Sequence, residues 1–198
     1  MELSGIILAA GTGRRIAELG DKPFLILHDR SFLETIIDKL SGSVYHPVIV
    51  VTNEMLIDRI RNIVPGHVNV ILNPRPESGM LSSLHCAMQM LPSNCSGFLL
   101  HPVDYPLVAT TTYAKLSAVH SAMPDRILIP VFNDRGGHPM IFPADAFDLL
   151  KNAPLDVGAR HVVQMYPDIV HRIVVDDRGI LLNINTPDMY RKFCKYRV

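Results

Sequence analysis

Tryptophan is absent and cysteine is scarce: among 198 residues only Cys86, Cys95 and Cys194 occur. Three scattered cysteines form neither a disulfide framework nor a zinc-ligand spacing, so a reducing, cytoplasmic setting is expected. Net charge is absent too, with 19 Lys+Arg against 19 Asp+Glu. A nucleic-acid partner would call for a basic excess, and none is expected here. No apolar run is long enough to span a bilayer, so no membrane partner is expected. The first apolar stretch ends at once in Gly11-Thr12-Gly13-Arg14-Arg15. It is too short for a membrane span, and its charges stand in the wrong order for a secretory leader. A Walker A sequence is missing, and Ile16 stands where a dinucleotide fingerprint would need its third glycine.

What is present is a regular alternation. Apolar, β-branched runs at 5–9, 47–52, 68–72, 97–100, 126–131, 139–142, 169–175 and 180–184 read as strands. Helical spacing lies between several of them. Phe32, Ile36, Ile37 and Leu40 share a face behind a candidate N-cap, Ser31. Met55, Ile57, Ile60 and Ile63 share another; Met80, Leu84, Ala87, Met88 and Leu91 share a third, with Ser78 as its candidate N-cap. Asp177-Arg178-Gly179 reads as a hairpin turn. Strands alternating with helices predict an α/β fold, a mostly parallel sheet covered on both faces, in one domain over 1–198. Ligands in such sheets sit beyond the carboxyl ends of the strands. The loops there are 11–22, 73–83, 101–106, 133–139 and 183–188.

The first loop is the strongest local signal. An apolar strand runs into Leu8-Ala9-Ala10-Gly11-Thr12-Gly13-Arg14-Arg15, and Lys22-Pro23 follows. Small residues let backbone N–H groups approach an anion, and basic side chains supply charge around it. A Gly-Thr-Gly turn also occurs in α/β proteins with no phosphate ligand; the second arginine and the lysine favour a triphosphate. Arg14 reads rather as a solvated surface charge.

These residues resemble the nucleotidyltransferases that join an NTP to a phosphate acceptor. Leu8-Ala-Ala-Gly with Arg15 and Lys22-Pro23, Gly79-Met80-Leu81-Ser82-Ser83-Leu84, Val103-Asp104-Tyr105-Pro106, Gly137-His138-Pro139, Asp156-Val157-Gly158-Ala159-Arg160 and Asn183-Ile184-Asn185-Thr186-Pro187-Asp188 carry the resemblance in order. Within that group the chain looks most like the molybdenum-cofactor branch, the MobA-like NTP transferases, and there most like the molybdopterin cytidylyltransferases. Ile16 departs from the usual methionine, Leu155 from a glycine. Asn183 and Asn185 stand where the cytidylyl branch has aspartates, as in the guanylyl branch.

The resemblance implies a three-layer α/β/α, Rossmann-like fold of the glycosyltransferase-A type with a mixed sheet. It implies a Mg²⁺-dependent transfer of CMP from CTP to a molybdopterin-type phosphate acceptor, with pyrophosphate released. Transient contact with a molybdoenzyme or its chaperone is implied too. Arg15, Lys22 and Asp104 would be catalytic. Leu8, Ala9, Ala10, Gly11, Thr12, Gly13, Arg15, Lys22, Gly79 and Ser83 would hold the nucleotide. Gly137, His138, Pro139, Asp156 and Arg160 would hold the acceptor, with His138 a pocket wall rather than a general base. Asp104 and Asn185 would hold the metal. Read alone, Asp104 is also an ordinary turn aspartate, and Asn185 and Asp156 are also caps. A guanylyltransferase on the same cofactor, a sugar-1-phosphate nucleotidyltransferase, and a binding protein without turnover remain the alternatives.

Overall fold

The computed structural model describes residues 2–11, 13–155 and 157–194. The strands are β1 (Glu2–Leu8), the short hairpin β2 (Ile26–Leu27) and β3 (Arg30–Ser31), β4 (Tyr45–Thr52), β5 (Val68–Leu72), β6 (Cys95–Pro102), β7 (Ile127–Phe132), β8 (Arg135–Gly136), β9 (Met140–Pro143) and β10 (Val170–Val174). The helices are α1 (Phe32–Ser41), α2 (Ile57–Ile63), α3 (Met80–Met88), α4 (Thr110–Ala122), α5 (Phe147–Asn152), α6 (Ala159–Met165) and α7 (Pro187–Phe193).

The main sheet runs β10-β7-β9-β6-β1-β4-β5, with β8 paired to β7. β1 pairs parallel with both β4 and β6, β4 pairs parallel with β5, and β10 with β7. Among the described residues, only β8 and β9 run antiparallel to their neighbours in this sheet. One apolar layer packs α1, α2 and α4 on one face, through Phe32, Ile36, Ile60 and Leu116. A second packs α3, α5 and α6 on the other, through Leu84, Leu150 and Val162. The expected mostly parallel α/β architecture with two covered faces is therefore the one observed. No helix among the described residues is long and apolar enough to cross a membrane.

Local chemistry explains the elements. α1 starts in a capping box: Ser31 Oγ accepts from Glu34 N at 3.2 Å, and Ser31 N donates to Glu34 at 2.9 Å. Asn133 and Asp134, both with positive φ, make the two-residue turn from β7 to β8.

Five readings need correction. The run 180–184 is not a strand, and 177–179 is not a hairpin turn. Asp177 caps a 3₁₀ turn, Arg178–Leu181, by accepting from Gly179 N at 2.8 Å. Its other oxygen accepts from Ala109 N and the Thr112 hydroxyl. Gly179 lies so near the chain that an added Cβ would stand 2.2 Å from Leu107 O. The segment is thus pinned to the loop after β6, and Ile180 and Ile184 are buried without a ladder. Ser78 does not cap α3; it ends a 3₁₀ turn, and Gly79 holds the cap position with no side-chain acceptor. α2 begins at Ile57, leaving Met55 86% exposed and only Ile60 of its helical residues buried. Met80 is exposed rather than on the core face of its helix, while Met88 is buried.

Candidate active site

The cleft lies where β1 and β6 end side by side. Val103 N donates to Leu8 O at 3.0 Å, which joins the two loops leaving these strands. Leu8, Ala9, Ala10, Gly11 and Gly13 form one wall, Pro102, Val103 and Asp104 another, and Pro76, Gly79, Met80 and Ser83 a third. The cleft holds about 250 Å³. Asn53 fixes the first wall by donating to Ala10 O at 3.0 Å. Asn73, buried, fixes the third: its amide donates to the hydroxyls of Ser82 and Ser83 at 2.8 Å, and its oxygen accepts from Arg75 N. The Leu155 carbonyl packs against Gly79 and narrows that side.

At the floor, Lys22 Nζ donates to Asp104 Oδ2 at 3.3 Å, with both side chains mostly buried. Lys22 sits in a 3₁₀ turn that Arg59 of α2 holds from outside, pairing with Asp21 and lying 4.0 Å over the Phe24 ring. The Asp104 loop is held from below. Lys39 donates to the carbonyls of Pro106 and Val108, both at 2.8 Å, and burial brings its pKa down to about 8. His101, fully buried, shares a 2.7 Å hydrogen bond with Tyr113; burial brings its pKa down to about 3.

Gly11, Gly13, Arg14, Arg15, Lys22 and Asn185 line a second, adjoining recess. Both arginines are exposed on it, so geometry does not separate Arg14 from Arg15. Asn185 reaches this recess because Ile184 N donates to Asp104 O at 2.7 Å, tying the 183–185 segment to the Asp104 loop. Asn185 does not cap α7; Thr186 does, with Pro187 next.

A third hollow opens beside Tyr105. Gly137, His138 and Arg160 line it, as do Arg135, Met140 and Arg172. Gly137 is required there by contact, since a Cβ would stand 2.2 Å from Ile180 O. The His138 ring lies 4.9 Å from that of Tyr105. Burial lowers the His138 pKa to about 4, against the pull of Asp104, so the ring is neutral at pH 7. Its Nδ1 is buried with no hydrogen-bond partner among the described residues, as is Asn183 Oδ1, whose amide donates to the Tyr105 hydroxyl at 3.4 Å. Pro139 is buried beside the hollow rather than lining it. Thr12 and Asp156 lie outside the described residues; the cap position of α6 is Gly158.

Sequence reasoning missed Asn53, Asn73, Tyr105, Arg135 and Arg172. Asparagines directly after β4 and β5 carry a positional signal in such a sheet. The two arginines carry none: Arg135, in the 133–139 loop, and Arg172, in the 169–175 run, each read as a solvated charge.

A glycine loop, basic side chains and a carboxylate, gathered at the carboxyl ends of parallel strands, define a nucleotide-handling α/β domain. The chain belongs to the MobA-like NTP transferase domain family, whose model matches residues 5–170. A curated relative from Methanothermobacter thermautotrophicus, a probable molybdenum cofactor guanylyltransferase, is 30% identical over 102 residues. The match covers 52% of this chain and 50% of that relative, so the chain spans about half of it. Rv0371c of Mycobacterium tuberculosis is similar in structure, with TM-score 0.87 at 24% identity, covering 99% of this chain and 98% of that one. A manganese complex of Rv0371c matches at TM-score 0.82 and 22% identity over 100% of both chains. The molybdopterin-guanine dinucleotide biosynthesis protein A of Archaeoglobus fulgidus gives 0.74 at 20%, over 98% and 97%. At these identities the structures speak for the fold.

Proposed function

We propose that this chain is a nucleotidyltransferase that moves CMP from CTP to the phosphate of a molybdopterin-type acceptor and releases pyrophosphate. The observation that carries the reading is the Lys22–Asp104 pair, which joins the glycine loop to the loop after β6 at the floor of the cleft. The family supports the reaction class.

The reaction is an in-line displacement: an acceptor phosphate oxygen attacks the α-phosphorus, and the bond to the pyrophosphate oxygen breaks. Such a step needs positioning and charge stabilisation more than covalent help. The loop at Gly11 and Gly13 lets the triphosphate approach the backbone. Arg14, Arg15 and Lys22 face its β- and γ-phosphates in the adjoining recess, and lysine follows the leaving group as a mobile point charge. Gly79 and Ser83 border the base and ribose. Neutral His138 walls the acceptor side; it need not act as a base, because a phosphate acceptor is already ionised.

The donor set suits a hard divalent cation. Asp104 supplies a carboxylate, and Asn185 a neutral carbonyl, beside room for phosphate oxygens. Mg²⁺ takes one or two protein oxygens and fills its shell from phosphates and water, and bound there it would neutralise charge on the transferred group. A manganese complex of Rv0371c is consistent with a divalent ion in this fold.

A second reading, GTP in place of CTP, is favoured by the name of the curated relative. Pyrophosphate release with each NTP, Mg²⁺ and molybdopterin decides between them. Tight NTP binding without release would instead leave a binding protein that does not turn over.

A further inference from the structure

Asn73 and the two serines it holds form a hydrogen-bond chain whose direction is set at every link. Asn73 Oδ1 accepts from Arg75 N at 2.9 Å. A backbone nitrogen has only a proton to give, so the oxygen end of the amide is fixed. The Nδ2 end therefore faces α3 and donates to Ser82 Oγ and Ser83 Oγ, both at 2.8 Å. Both N–H groups of the amide are used in this way. Each serine oxygen has accepted a hydrogen bond and still has its own proton to give.

The two serines differ in where that proton goes. Ser82 has two carbonyls within reach, Gly79 O at 2.8 Å and Arg75 O at 3.0 Å, and its proton stays inside the loop. Ser83 has no acceptor among the described residues. It is 5% exposed and lines the cleft together with Ala10, Gly79 and Met80. A nearly buried hydroxyl with a free proton is completed by a ligand acceptor. The group that sets this polarity is itself fixed, because Asn73 is 1% exposed and its backbone N donates to Thr52 O at 2.7 Å.

We propose that Asn73 is a positioning residue that makes Ser83 a hydrogen-bond donor to the base of the bound nucleotide, and that this polarity selects cytosine. Cytosine carries two adjacent acceptors, O2 and N3, on one edge. The matching edge of guanine carries the N1–H and N2–H donors. A serine proton facing either of these leaves both groups unpaired, whereas facing O2 or N3 it is satisfied. This rests on the reading of the cleft as the nucleotide site.

Calorimetric titration of the intact chain with CTP, 2′-deoxy-CTP and GTP tests it. Ser83→Ala should lower the CTP-over-GTP affinity ratio about tenfold, chiefly by weakening CTP. Asn73→Asp should lower the ratio as well, although Ser83 is kept: a carboxylate accepts the serine proton and draws it out of the cleft. The added charge weakens both triphosphates, so the ratio is the quantity to read. The double Asn73→Asp, Ser83→Ala variant should give the same ratio as Ser83→Ala alone. Ser83→Ala carries the test by itself if Asn73→Asp does not fold. A wild type that prefers GTP overturns the proposal. So does an equal loss of CTP and GTP in Ser83→Ala, which would make the serine a merely structural residue of the loop. An effect of Ser83→Ala that vanishes with 2′-deoxy-CTP would put the proton on the ribose and overturn it too. A ratio that falls as expected, in a chain that releases no pyrophosphate with molybdopterin, upholds the base contact and overturns nucleotidyl transfer instead.

Discussion

Lys22 and Asp104, 82 residues apart in sequence, meet at 3.3 Å at the floor of the cleft. The pair holds a cation where pyrophosphate would leave and a carboxylate where a metal would sit. Without Asp104, Lys22 would stand mostly buried and uncompensated; without Lys22, the same holds for Asp104.

Lys22→Ala should therefore lower turnover by roughly 10²-fold or more, with a smaller effect on nucleotide affinity, because charge on the leaving group develops only in the transition state. Steady-state kinetics beside NTP titration measures the split. Arg14→Ala should cost less than Arg15→Ala, following the family pattern. Equal losses would make both arginines of the recess the clamp.

CTP should bind more tightly than GTP, by about 1–3 kcal/mol, the scale of one misfit group in a pocket. Ala10 lines the cleft with its carbonyl fixed by Asn53, and the Leu155 backbone closes on Gly79 opposite. A purine needs more room between these walls than a pyrimidine does. Tighter GTP binding would assign the chain to the guanylyl reaction.

Stability should fall on mild acidification. In the unfolded chain both imidazoles take up protons near pH 6.5, whereas the folded chain holds His138 neutral to about 4 and His101 to about 3. Below pH 6.5 the unfolded state therefore binds more protons, and stability present above 6.5 is lost as the pH drops toward 4. His138 alone accounts for up to about 3 kcal/mol. Urea midpoints between pH 7 and 4.5 test this, and His138→Gln should shallow the slope. An unchanged slope in that variant would show that His138 takes up its proton at the same pH in the folded and unfolded chains.

How far the sequence speaks depends on where each signal originates. α1 was readable because Phe32, Ile36, Ile37 and Leu40 share one face directly behind their cap, Ser31. α4 was not, because its buried face consists of Thr112, Tyr113, Leu116 and His120, and half of that face is polar. The apolar run 180–184 imitates a strand, but what fixes it is contact with Leu107, Asp104 and His138 from distant loops. The glycine loop and the Asp104 loop could be named because β1 and β6 each lead straight into them. Arg135 and Arg172 gain meaning only once β8 and β10 flank β7.

Asn185 is the most informative side chain left to change. It lines the recess of Arg14, Arg15 and Lys22, on a segment tied to the Asp104 loop through Ile184, while Thr186 takes the capping role. As a neutral carbonyl beside one carboxylate it offers a hard dication less attraction than paired aspartates would. Metal should thus bind well only together with NTP. Asn185→Asp should strengthen Mg²⁺ binding without nucleotide, Asn185→Ala should raise the Mg²⁺ concentration needed for turnover, and Asp104→Ala should nearly abolish activity at any Mg²⁺ level. Activity against Mg²⁺ concentration for the three variants is the measurement. An unchanged Mg²⁺ dependence in Asn185→Ala would leave Asp104 as the sole side-chain ligand and reduce Asn185 to a wall of the phosphate recess.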